Sequence, residues 1–213
     1  EIRLKARVTK MATVGKQIKV AMEFDGKKVE ELYDRVLVAV GRSANSADLG
    51  LENTKVELDE RGFVKVNSQQ QTGDPAIYAI GDIAGGILLA HKAHKEARIA
   101  VENICGESSA FDSVVPAVVF TDPELAWCGL TEAEAREQYG DEVAVGRFPW
   151  VANARAVMQD QTVGWVKSIH ETRYGELLGL VMVGPHVTDM IEVGVVALDA
   201  ESTVETVADG MAP

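Results

Sequence analysis

The chain is 213 residues long, 46% hydrophobic and 25% charged, the proportions of a globular domain with ample length to bury a core. Acidic residues number 33 against 21 basic ones, and the resulting formal charge of −12 argues against nucleic acid or an anionic membrane as partner. No apolar run approaches the ~20 residues of a membrane span, no signal peptide is read at the start, and the two cysteines, Cys105 and Cys128, lie too far apart for a redox or metal motif, so a reducing, cytoplasmic setting is expected.

In chain order, residues 1 to about 35 alternate apolar and polar: Ile2, Leu4, Ala6 and Val8, then Ile18, Val20, Met22 and Phe24. With the Asp25-Gly26 turn and a further run from Val29, this predicts an antiparallel meander. Val36-Leu37-Val38-Ala39-Val40-Gly41-Arg42 follows, and Ile77-Tyr78-Ala79-Ile80-Gly81-Asp82 comes later. Each is an apolar run ending in glycine and a polar residue, which predicts a strand covered on both faces, as in nucleotide-binding α/β sheets. Ligands sit at the carboxyl ends of such strands, where glycine lets the backbone approach them. Asp82 is expected at a strand tip, able to accept hydrogen bonds from ligand hydroxyls. Gly85-Gly86 and an amphipathic helix follow, and the free N–H groups of that helix start suit an anion. Two such tips suggest two nucleotide-type ligands.

Phe63 to Val66 predicts a short strand between the two runs, and the helix is expected from about Leu88 to Cys105, stopped by Gly106. Beyond about residue 113 the pattern is α+β. Val115–Phe120 reads as a strand, as does the segment holding Cys128. Thr131-Glu132-Ala133-Glu134 is a capping box opening a helix that ends at Gly140. Val143–Phe148 and Val163–Ile169 read as strands, the second joined through Thr172-Arg173-Tyr174-Gly175 to Leu177–Val183 as a hairpin. A helix from about Asp189 to Ala200 comes next, and Ser202 with Glu205 is expected to cap another.

This organisation is odd for a complete protein. The meander lacks a sheet to pack on, and the first apolar run has no parallel partner before it. No G-x-G-x-x-G turn is present, since Gly81 to Gly86 has the wrong spacing. The chain therefore reads as a fragment.

A set of motifs makes the reading specific. These are Val38-Ala39-Val40-Gly41-Arg42-Ser43-Ala44-Asn45, Leu49-Gly50-Leu51-Glu52-Asn53, Ala79-Ile80-Gly81-Asp82, Leu89-Ala90-His91-Lys92-Ala93, the run from Val115 to Glu124, Gly129 to Ala135, and Gly184-Pro185. In this order they resemble the C-terminal part of the dihydrolipoamide dehydrogenases, within the pyridine nucleotide–disulfide oxidoreductase family, and they span nearly the whole chain. The Leu-Ala-His-Lys-Ala run favours that group over glutathione or mercuric reductases. The resemblance implies a fold class of α/β and α+β: part of the nucleotide-binding domains of an FAD/NAD-linked reductase, then an α+β dimerisation domain. It implies three pieces: the end of an NAD-binding domain over 1–45, the second segment of an FAD-binding domain over 46–112, and an interface domain over 113–213, truncated at its C-terminus.

By the same resemblance, Asp82 binds the ribityl and phosphate region of FAD, and the backbone at Leu89, Ala90 and His91 approaches the isoalloxazine ring. The positive end of a helix there would stabilise negative charge on a reduced flavin. Gly41 lies by the NAD, with Arg42 beside it. The implied partners are a second copy of the chain in a homodimer and the lipoyl domain of a 2-oxoacid dehydrogenase or glycine cleavage complex. The family's redox disulfide lies in the half that this chain does not match. Its catalytic histidine belongs to a His-Pro-Thr-x-x-Glu motif, and Met211-Ala212-Pro213 aligns just before it, so no catalytic residue is assigned.

His91 and His94 sit three apart on the expected helix, a spacing usable for a metal. With no third ligand patterned nearby they read as an ordinary helix face, and no metal is expected. Cys105 and Cys128 read as small apolar residues, and Trp127, Trp150 and Trp165 as filling of the interface domain rather than a stacking platform. Two functions follow. One is part of a flavoenzyme moving electrons between dihydrolipoamide and NAD, or a relative using another disulfide or acceptor. The other is a non-catalytic dimerisation module carrying the walls of a nucleotide pocket.

Overall fold

The computed structural model describes residues 1–210, and the expectation placed on Met211-Ala212-Pro213 lies outside them. The chain divides into two units, Glu1–Ser43 and the residues from Ala44 onward.

The first unit is the expected meander: β1 (Arg7–Val14), β2 (Gln17–Phe24) and β3 (Lys27–Tyr33) in sheet order β1-β2-β3, all antiparallel. Asp25 and Gly26 take φ of 49° and 69°, the two positive values of a two-residue hairpin whose twist matches its strands. Alternation along β2 places Val20 and Met22 together, and both are buried. The apolar run after the meander corrects the reading above. Val36–Val40 is not a strand, and Leu37 and Val40 are 91% and 92% exposed. A run becomes a strand only when a neighbour takes its N–H and C=O groups, and no described residue forms a ladder with it.

The second unit starts with a loop-rich stretch where two further strands were expected and neither forms. Phe63–Val66 makes only an isolated bridge, Leu58 to Val64, and Ile77–Ile80 only the bridge from Gln71 to Tyr78. Short polar side chains win the backbone groups here. Asp59 Oδ1 accepts the N–H groups of Arg61 and Phe63, each at 2.8 Å, and Asn67 Oδ1 those of Gln69 and Gln71, each at 3.0 Å. Gly81–Ala84 is then one turn of 3-10 helix, so Asp82 sits in a turn and not at a strand tip. Helix α1 (Ala90–Ile104) follows, with Cys105 as its C-terminal cap and Gly106 at φ 89° beyond it.

A five-stranded antiparallel sheet makes up the rest. Its members are β4 (Ala117–Val119), β5 (Glu124–Gly129), β6 (Val143–Pro149), β7 (Trp165–Glu171) and β8 (Leu177–Gly184), in the order β4-β5-β8-β7-β6. Between them and after them come α2 (Glu132–Tyr139), α3 (Ala154–Met158), α4 (Val187–Asp199) and α5 (Val204–Ala208). The capping box is as expected: Thr131 Oγ1 accepts the Glu134 N–H and Glu134 accepts the Thr131 N–H. The cap of α5 is one residue off, because Thr203 and not Ser202 accepts from the third helical residue, Thr206.

The sheet is covered on both faces. Cross-strand pairs Ala126–Met182 and Cys128–Leu180 point toward α4, where they meet Val187 and Ile191. On the other face Val143 and Ile169 cluster with Ala135 of α2. Leu178 joins this second cluster because the β7–β8 register skips it, a bulge that turns its side chain across. Trp150 packs against the cluster beneath α4 and donates its indole N–H to the Val183 carbonyl at 2.7 Å. Trp127 and Trp165 are half-buried on the sheet, the latter beneath the Arg147 guanidinium.

Candidate functional site

Four of the five residues assigned from sequence fall on one stretch of the second unit. Asp82 lies exposed in the Gly81–Ala84 turn, Leu89 is the N-terminal cap of α1, and Ala90 and His91 are its first two residues. Gly41 belongs to the first unit, exposed at φ 116° after the Val36–Val40 run.

Glycine is required where the turn meets the helix. Gly81 has φ 75°, and a Cβ built on it would stand 3.3 Å from the Cβ of Ala93 on α1. Two backbone bonds extend the arrangement: the Gly85 N–H reaches the Asp82 carbonyl at 3.2 Å, and the Val64 N–H reaches that of Ile83 at 2.8 Å. Beside the turn, Asp59, Phe63, Lys65, Ala84, Gly85 and Gly86 border a cleft of about 490 Å³.

The α1 start is built to meet negative charge. Leu89 offers no side-chain cap, and the first turn holds no acidic residue. The leading N–H groups of a helix have no intrahelical acceptor, and the macrodipole places about half a positive charge there. His91, His94 and Lys95 add basic side chains to the same end. The His91 Nε2–H donates to the Pro116 carbonyl at 2.6 Å, which fixes the ring and places its hydrogen on Nε2.

Two residues to which the motif reading gives no role stand behind this surface. Lys92 and Glu96, one turn apart on α1, are buried, with Nζ 2.5 Å from Oε1 and side chains 9% and 5% exposed. The other oxygen, Glu96 Oε2, accepts the Gly81 N–H at 2.7 Å. A signal for them exists: Ile99 and Ala100 define the buried stripe of α1, and stepping back by helical periodicity reaches 96 and 92.

Both thiols are unpaired; Cys105, expected from the sequence to be a buried small residue, is exposed at the end of α1, whereas Cys128 is buried in the sheet and desolvation pushes its thiol up to about 12. Among the described residues no three His, Cys, Asp or Glu side chains converge as a metal site, and no helix is long and apolar enough to cross a membrane.

Comparison with known proteins shows the family. Residues 1–97 match the family described as pyridine nucleotide-disulphide oxidoreductase, and residues 115–213 match its dimerisation domain. The dihydrolipoyl dehydrogenase of Thermus scotoductus is 45% identical over 179 residues, 84% of this chain and 39% of that protein. That of Bacillus subtilis is 41% identical over 192 residues, 90% of this chain and 41% of that one. The chain thus spans about two fifths of the length of these relatives. Among solved structures, LpdA from Mycobacterium tuberculosis superposes with a TM-score of 0.86 at 30% identity, covering 98% of this chain and 45% of that one. The HOCl-induced flavoprotein disulfide reductase RclA from Escherichia coli gives 0.85 at 27%, covering 97% and 47%.

Proposed function

Because the chain belongs to the pyridine nucleotide-disulphide oxidoreductase family, we propose that it forms the C-terminal part of a dihydrolipoyl dehydrogenase, an FAD-dependent enzyme that oxidises dihydrolipoamide with NAD. One observation carries the reading. The Asp82 turn and the uncapped, acid-free start of α1 lie on one stretch, offering a carboxylate acceptor and a row of donors within the same surface.

A flavin dinucleotide needs such a mixed set. Its ribityl hydroxyls call for an acceptor, which Asp82 supplies, and the electron-rich edge of its ring calls for donors, which the Leu89–His91 backbone supplies. FAD, when bound, supplies two-electron chemistry between a dithiol and a nicotinamide. The residues of this chain bind and orient. The α1 dipole lowers the energy of negative charge placed at its end, and the His91–Pro116 bond holds that end to the strand-bearing part of the unit. Gly41 is assigned to the NAD side. In keeping with the three-part division, residues 1–45 belong to the NAD-binding domain, 46–112 to the FAD-binding domain and 113–213 to the dimerisation domain. The partners are a second identical subunit and a lipoyl domain of a 2-oxoacid dehydrogenase or glycine cleavage complex.

The likeness to RclA supports a second reading, a disulfide reductase of the same build acting on another substrate. One experiment separates them. The full-length protein is expected to purify yellow, with flavin absorbance, and to reduce NAD with dihydrolipoamide. In Asp82→Ala, loss of a charge-assisted hydrogen bond should weaken flavin retention by about 1.5–3 kcal/mol. Flavin without dihydrolipoamide turnover selects the second reading, and absence of flavin removes both.

A further inference from the structure

The buried face of α1 is made of Lys92, Glu96, Ile99 and Ala100, at spacings of four, seven and eight residues. Its half nearest the proposed flavin surface is therefore charged. Lysine and glutamate are among the residues least often buried, and an apolar pair of similar volume stabilises a core as well or better. Stability alone does not account for them.

Their contacts do. Glu96 divides its two oxygens, Oε1 to the Lys92 ammonium and Oε2 to the Gly81 N–H. The Lys92 Nζ is enclosed, and no acceptor among the described residues meets it with hydrogen-bond geometry. Its hold on Glu96 is thus a close charge contact, and its stem runs beneath Gly86, where an added Cβ would sit 3.4 Å from Cε. Gly81 rests on the patch formed by Ala93 and Glu96, three residues apart on the helix, and its amide finds no backbone carbonyl among the described residues. An apolar residue at position 96 would fill the space and leave that amide without an acceptor.

We infer that Glu96, its charge balanced by the Lys92 ammonium, is a positioning residue: its side-chain oxygen fixes the Gly81–Asp82 turn against α1, so that the Asp82 carboxylate and the α1 N-terminus meet one ligand in a set relation. The identity of that ligand as FAD rests on the reading above. The positioning itself does not.

The test uses two double variants of the full-length protein, each free of the buried charge pair. Lys92→Met with Glu96→Gln keeps a side-chain oxygen for the Gly81 N–H, whereas Lys92→Met with Glu96→Leu removes it. Hydrogen exchange of the segment holding Gly81–Ala84 is followed in both, together with retention of FAD. The leucine variant should exchange there about tenfold faster and hold FAD about tenfold more weakly, as expected for one lost hydrogen bond, and the glutamine variant should stay near the unaltered protein. Where leucine does not fold, Glu96→Ala replaces it in the same comparison. Equal exchange in the two variants overturns the inference. A contrast in exchange in a protein that carries no FAD upholds the positioning and removes the flavin reading instead.

Discussion

At Glu171 one carboxylate organises the reversal from β7 to β8. It is buried and accepts the N–H groups of Glu176 at 3.0 Å, Arg173 at 2.7 Å and Tyr174 at 2.5 Å. These backbone donors, that of Glu176 foremost, hold its carboxyl below the ordinary value of 4.5. The folded value is the depressed one, so this contribution to stability is whole above about pH 4.5 and is lost as the pH falls through the folded value. Thermal midpoints recorded from pH 6 down to pH 3 should therefore drop, and Glu171→Gln should drop less steeply over the same range. Identical slopes would show that the turn does not sense this carboxylate. Glu124, lowered chiefly by the Thr188 hydroxyl, adds a slope that the variant retains. The same scale shows what a sequence reveals. The Gly81-Asp82 and Leu89–His91 motifs are legible because their residue types stand at fixed spacing, and the structure sets them on one stretch. Lys92 and Glu96 are legible only through the helical period running back from Ile99 and Ala100, because a charged pair four apart on a helix otherwise has the ordinary appearance of a solvated face.

Among the elements, helices are the more legible, since their caps are local. The Thr131 box and the Gly106 and Gly140 stops each sit within a turn of the helix they bound. Strand formation depends on partners far along the chain, which is why Phe63–Val66 and Ile77–Ile80 are loops although their composition suits a sheet. The packing of α4 is likewise invisible beforehand. Its Gly194 faces the sheet so closely that an added Cβ would come within 2.7 Å of Leu180 Cδ2 and 2.8 Å of Cys128 Sγ. Gly194→Ala gains about 1 kcal/mol of helix propensity and meets about 1–3 kcal/mol of overpacking. The collision should win, giving a lower urea midpoint at unchanged slope. A rise in the midpoint would mean that α4 lifts from the sheet without penalty.

For the whole molecule the open question is what covers the outer side of α4. Met190, Ile191, Val195 and Leu198 pack inward, which leaves Val193 and Val196, three apart, at 59% and 61% exposure. The match to a dimerisation domain makes a second copy the proposed cover. Sedimentation at micromolar concentration should show a dimer, and Val193→Asp with Val196→Asp should show monomers with a lower thermal midpoint that no longer depends on protein concentration. A dimer that survives both changes would place the interface elsewhere. With −12 on each chain, association should tighten as salt screens the repulsion. A different consequence follows from the Val36–Val40 run, five uncharged apolar residues lying outside any ladder. Such a segment, with no ladder partner among the described residues, is a template open to a strand of its own polypeptide or to the same run on a neighbouring copy. The first encounter is independent of concentration and the second is not, so dilution favours the first over the second. Arg35 and Arg42 bracket the run, and like charges stacked in register at both ends work against the second outcome.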